Sequence, residues 1–153
     1  MTACPSQTFN LDRFVAAQSG VYAQALAELK AGKKRSHWMW FVLPQLRALG
    51  MSAMAQRYGI ESPDEAQAYA AHPVLGVRLR ECVRALLGHK LTAEDMLGEV
   101  DAMKLRSCLT LFIAAVPGER LFAEALERFY GGQPDEATLR LLRVQPGSTD
   151  RSR

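Results

Sequence analysis

The run Lys33-Lys34-Arg35-Ser36-His37-Trp38-Met39-Trp40-Phe41 sets three cations, a hydroxyl and an imidazole directly before both tryptophans of the chain. Cations bind phosphate, an indole face stacks on a base or a nicotinamide, and a histidine moves a proton near neutral pH. Gathered together, they are the equipment of a pocket for a small anionic ligand such as a nucleotide or an ADP-ribose derivative. In that reading Lys34 holds phosphate, Trp38 stacks, and Ser36 and His37 supply hydrogen bonds or proton transfer. Lys104 and Ser107 are three apart, hence on one helix face, and would join them as anion ligands, with Gln45 and Tyr58 completing the candidate ligand-binding set. A nucleophilic arrangement can be assembled from Ser36 or Ser107, His37 and Asp101, which makes Ser36, His37 and Asp101 the candidate catalytic residues. Against it, no Gly-x-Ser-x-Gly elbow is present, and a serine adjacent to its histidine is not the usual activated pair.

The same residues also fit a purely structural role. Two tryptophans in an apolar run are core material, and a Lys-Lys-Arg run after a helix-ending glycine complements a helix C-terminus. Asp101 at the start of a helix complements the opposite end of a dipole. The alternative function is therefore a non-catalytic protein interaction module whose Ser-His-Trp-Met-Trp-Phe segment is core. The residue types leave open whether any bond is made or broken, and no motif implies a cofactor.

Other chemistries find less support. No two histidines stand four apart on a helix, and Cys4, Cys82 and Cys108 show neither a Cys-x-x-Cys pair nor a histidine at zinc-ligand spacing, so no metal site is expected. Gly131-Gly132 follows a helix, where phosphate-binding loops need glycines before one. A net charge of +3, from 19 basic and 16 acidic residues, is not the footprint of a nucleic-acid binder. The basic face Arg78, Arg80 and Arg84 is interrupted by Glu81. An odd set of distant cysteines, a start with neither a basic nor an apolar signal region, and the lack of any eighteen-residue apolar run predict a cytoplasmic protein that does not enter a membrane.

Positioning these residues falls to helices. With 153 residues, 48% of them apolar, the chain can bury its own core. The spacing predicts helices over 11–18 (capped by Asn10 or Asp12), 21–31 (closed by Gly32), 53–58 (closed by Gly59), 63–71, 73–87, 101–115, 120–130 and 135–143, with a short capped turn after Thr92. Ser62-Pro63-Asp64-Glu65 is the strongest boundary signal, joining an N-cap serine, a first-turn proline and a glutamate three residues on. Residues 38–43 lack any periodicity and end at Pro44; they predict a buried turn or short helix, since no second strand is in view to pair with them. The fold class expected is all-α: a single compact orthogonal bundle of about seven to nine helices over 11–143, with a flexible leader at 1–10 and a disordered tail at 144–153.

A resemblance follows from residues scattered along most of the chain. Arg13-Phe14, Gln18, Tyr22, Gly32-Lys33, Ser36-His37-Trp38-Met39-Trp40-Phe41 and Pro44-Gln45-Leu46, then Tyr58-Gly59-Ile60, His72-Pro73-Val74-Leu75-Gly76, Lys104-Leu105-Arg106-Ser107 and Phe129-Tyr130-Gly131, resemble the bacterial family known as domain of unknown function 1810. The resemblance covers about 9–142, and Ser-His-Trp-Met-Trp-Phe is too rare a string to arise readily by chance. It implies a compact helical domain in the bacterial cytoplasm and brings no catalytic residues with it. A fainter likeness, of general plan and not of motif, is to helical proteins acting on ADP-ribose derivatives and N-glycosides; a shared plan does not license a shared function.

Overall fold

The computed structural model describes residues 9–143. Ten α-helices lie among them: α1 (Asp12–Gln18), α2 (Tyr22–Ala31), α3 (Met39–Val42), α4 (Ala53–Tyr58), α5 (Pro63–Ala71), α6 (Leu75–Leu87), α7 (Ala93–Leu97), α8 (Glu99–Ala115), α9 (Arg120–Tyr130) and α10 (Glu136–Arg143), with a 3-10 turn at Arg47–Leu49. The all-α class is as expected, and the count exceeds the expected seven to nine. The leader and tail expected at the two ends lie outside the described residues apart from Phe9 and Asn10.

Helix α8 is the axis of the packing: α5, α7, α9 and α10 all rest on it, while α6 packs on α2, α5 and α9. Its run Ser107 to Phe112 is buried without a polar face, as a helix surrounded on all sides must be. Leu105, Leu109, Phe112, Phe14, Tyr69 and Phe122 belong to one continuous apolar cluster.

Caps explain where the helices begin. Ser62 Oγ accepts the Glu65 N–H at 3.2 Å, and Glu65 Oε1 accepts the Glu61 N–H at 2.7 Å, so the pairing reaches one residue further out than the usual reciprocal box. Ser52 and Thr92 cap α4 and α7 in the same way. The expected Asn10 or Asp12 cap does not form; Leu11 holds the cap position without a side-chain bond, and the Arg13 guanidinium takes the Asn10 carbonyl. Helix α6 starts at Leu75, later than expected, because His72 Nδ1 accepts the Val74 and Leu75 N–H groups and so occupies the first turn itself. Helix α8 starts two residues earlier than expected, at Glu99, because Gly98 at φ +88° serves as its N-cap and leaves no side-chain signal.

Gly32 closes α2 at φ +78°, and the Lys33 N–H returns to the Glu28 carbonyl at 3.0 Å, reversing the chain toward α7. His89 Nε2 lies 2.9 Å from the Leu29 carbonyl and secures the same helix end. Residues 39–42 form a buried helical turn, as expected. The segment after it, for which no pairing was expected or excluded, makes an isolated parallel bridge between Leu46 and Ile60, with Arg47 N–H to Ile60 O at 2.8 Å and Ile60 N–H to Gln45 O at 2.9 Å. The approach is so close that a Cβ on Gly59 would sit 2.3 Å from Arg47 Cα.

Candidate functional site

The turn leaving α2 is organised by one carboxylate, Glu28, buried although it lies on a helix with solvent on its other face. Glu28 Oε1 accepts the Arg35 N–H at 2.8 Å, the Ser36 N–H at 3.1 Å and the Trp38 indole N–H at 2.9 Å, and Oε2 accepts the Ser36 hydroxyl at 2.7 Å and the Gln24 amide at 3.0 Å. Burial alone would push this carboxyl's pKa up. The hydrogen bonds from Arg35, Trp38, Ser36 and Gln24 outweigh it and hold the group at about 2, from an ordinary 4.5.

Trp38 is 0% exposed, with its only polar atom satisfied by Glu28. Lys34 Nζ lies 5.0 Å from its ring centroid, bonds the Ser36 carbonyl at 2.6 Å and pairs with Asp101 Oδ2 at 2.9 Å. Asp101 thus ties the first turn of α8 to the end of α2. Its other oxygen lies 3.6 Å from Lys104 Nζ, and Lys104 in turn sits 4.9 Å from the Trp40 ring centroid. The contacts therefore run Trp38, Lys34, Asp101, Lys104, Trp40 in space: two cation-on-indole stacks joined by one carboxylate.

Trp40 is half-buried, and two clefts meet at it. The first, about 380 Å³, is mostly apolar and takes Gln45, Gly50 and Ser52 from the bridged segment and Met103, Ser107 and Asp135 from α8 and the α10 cap. The second, about 360 Å³, is lined by Lys34, His37, Glu99 and Asp101 at the start of α8. Both share Trp40, Val100 and Lys104. These volumes fall in the range of small-molecule sites.

The expected site residues separate into three groups. His37, Lys34, Asp101 and Lys104 meet in the second cleft, and Gln45, Lys104 and Ser107 in the first. Trp38 cannot stack on a ligand, because it is sealed beneath the turn; the accessible indole is Trp40. Tyr58 is buried against Phe14 and Phe41, and lines neither cleft. Lys34 already holds two oxygens, of Asp101 at 2.9 Å and Ser36 at 2.6 Å, which leaves Lys104, with one carboxylate oxygen at 3.6 Å, as the less engaged cation. The nucleophilic arrangement is not assembled: the Ser36 hydroxyl is given to Glu28, the Ser107 hydroxyl to the Met103 carbonyl at 3.3 Å, and Asp101 to two lysines. Among the described residues no hydrogen bond joins His37 to any of the three; its ring instead lies 6.5 Å from that of Trp40.

Sequence reasoning missed Glu28, Ser52 and Asp135. A glutamate on a helix reads as solvated surface, and nothing local marks it as the acceptor for a turn ten residues away. Ser52 directly precedes the helix expected over 53–58 and Asp135 opens the one expected over 135–143, positions that do not mark either as a cleft residue. Three exposed apolar side chains at the rim, Met51 at 95%, Val100 at 66% and Met103 at 70%, also went unremarked.

Among the described residues no group of three or more His, Cys, Asp or Glu is placed to hold a metal ion, and no helix is long and apolar enough to cross a membrane. No curated protein matches the chain. Of solved structures, that of the conserved hypothetical protein Rv1873 from Mycobacterium tuberculosis is similar: 48% identical, with a TM-score of 0.88, over 90% of this chain and 99% of that one. The family model described as Protein of unknown function (DUF1810) matches residues 8–142, and the chain belongs to that family.

Proposed function

We propose that the protein binds a small anionic ligand that carries a flat ring, of the nucleotide or ADP-ribose class, across Trp40. The observation that carries the reading is the partly buried Trp40 with the Lys104 ammonium 4.9 Å from its ring centroid, placed where an apolar and a charged cleft meet. The ring lies in the apolar cleft and the anionic group in the charged one, against Lys104 and His37. Desolvating Lys104 against an aromatic face strengthens its attraction for an anion beyond what an exposed lysine offers. The role is binding: of the serines lining the apolar cleft, Ser107 donates its hydroxyl to a main-chain carbonyl and Ser52 accepts the Ala55 N–H as the α4 cap, while Ser36, outside both clefts, donates to Glu28, and none of the three is hydrogen-bonded to a base.

The interaction-module reading keeps one specific support, the rim of Met51, Val100 and Met103, since exposed methionines adapt to varied apolar partners. We place the protein in the bacterial cytoplasm, a setting that suits Cys82 and Cys108, which are free thiols pushed up in pKa by burial.

The test is a thermal-shift series with nucleotides, NAD, ADP-ribose and sugar phosphates. A ligand at one hundred times its Kd adds about 2.7 kcal/mol, worth several degrees for a domain of this size. The expected result is a dose-dependent rise for ligands with both a ring and a phosphate, abolished in Lys104→Ala. A flat response to every compound, with a peptide bound at the methionine rim, would overturn the ligand reading in favour of the module.

A further inference from the structure

Two polar groups in the apolar cleft have unused hydrogen-bonding capacity. Gln45 is held by its backbone, since its carbonyl accepts the Ile60 N–H, yet among the described residues its half-buried side-chain amide has no hydrogen-bond partner. Asp135 caps α10 with one oxygen alone: Oδ2 accepts the Thr138 N–H at 2.9 Å and the Thr138 hydroxyl at 2.6 Å, while Oδ1 has no partner among the described residues. The two reach the same cleft from different segments, Gln45 from the stretch bridged to Ile60 and Asp135 from the start of α10, and the cleft also takes in the Trp40 indole.

We infer that Gln45 and Asp135 read the edge of a 6-aminopurine whose face lies on Trp40. This rests on the ligand reading above and narrows it to adenine among the rings that reading allows. A primary amide offers an acceptor beside two donors, the complement of the amino group and ring nitrogen on adenine's N6/N7 edge. The free oxygen of Asp135 only accepts, and so needs an N–H opposite it. A 6-keto purine puts an oxygen where adenine has its amino group, so the amide can use one hand only and Oδ1 loses the N6–H donor; the one donor left, N1–H, lies on the side of the ring away from N7. Cytosine also offers an amino group beside a ring nitrogen, but its single ring covers less of the indole. The anionic end of an adenine nucleotide then extends past Trp40 toward Lys104 and His37, which line the neighbouring cleft.

Isothermal titration of the full chain with AMP, IMP and CMP tests this. AMP is expected to bind at least about fivefold more tightly than IMP, the lower end of what a bidentate base contact discriminates, and more tightly than CMP. In Gln45→Ala, whose melting temperature should match the wild type because the side chain bonds nothing, the AMP preference over IMP should close. Equal or tighter binding of IMP, a preference that persists in Gln45→Ala, or CMP matching AMP would overturn the assignment while leaving the ligand site standing. No binding of any of the three would overturn both.

Discussion

Trp38 and Trp40 stand two residues apart, and each carries a lysine over its ring at nearly the same distance, 5.0 Å for Lys34 and 4.9 Å for Lys104. The surroundings make them opposites. Trp38 is closed off from water, its N–H bound to a buried carboxylate and its lysine held by two oxygens at 2.6 and 2.9 Å. Trp40 shows part of its face, and its lysine reaches only a distant carboxylate oxygen at 3.6 Å. The lesson is that a cation over an indole is neither a structural nor a binding motif in itself. What decides is how closely the rest of the cation and the indole are engaged inside the protein.

If that contrast is right, truncation should hit the two tryptophans unequally, and this is the largest effect to look for. Trp38→Ala should cost about 3–5 kcal/mol in chemical denaturation, removing a fully buried ring and orphaning Glu28. Trp40→Ala should cost about 2 kcal/mol, in keeping with its partial burial. Equal losses would erase the distinction.

The next effect sharpens the sealed side through pH. The Glu28 pKa is lowered on folding, from an ordinary 4.5 to about 2, so its contribution is fully present above the unfolded value and is lost as pH falls from about 4.5 toward 2. Wild type should exceed Glu28→Gln by on the order of 2 kcal/mol at pH 6, and the gap should close between pH 5 and pH 2 in urea titrations. A gap constant with pH would mean that the charge on Glu28 does not hold the turn.

The smallest effect belongs to the open side. Lys104→Ala should change stability by less than about 1 kcal/mol, since Asp101 keeps its closer partner Lys34 at 2.9 Å. A loss of several kcal/mol would make Lys104 as structural as Lys34 and remove the contrast altogether.

The elements were legible where local chemistry sets them. Pro63–Ala71 has the bounds expected from its Ser62 cap and Ala53–Tyr58 those expected from the closing Gly59, and Gly32 and Gly131 end their helices at positive φ as their positions suggest. The start of α8 was misplaced because Gly98 carries no side chain that announces a cap. Ser-His-Trp-Met-Trp-Phe, singled out by its residue types, does border the clefts, but a four-residue helix has no periodicity from which to tell the buried indole from the open one. Lys104 could be named from its spacing to Ser107, whereas Glu28 and Asp135 acquire their roles only from segments brought in by the fold. Tyr58, expected among the ligand-binding residues, packs on Phe14 and Phe41 in the core.

The bridge between Leu46 and Ile60 carries one more implication. Gly59 there has an ordinary extended conformation, φ −67° and ψ 144°, so its value lies in what it lacks: there is no room for a carbon between it and Arg47. Residues 45–52, which supply one wall of the apolar cleft, are seated directly on that contact. The gauge of the cleft is thus fixed by backbone meeting backbone, as a machined spacer fixes a gap, and is not left to the more forgiving fit of side chains that could be exchanged for others of similar bulk.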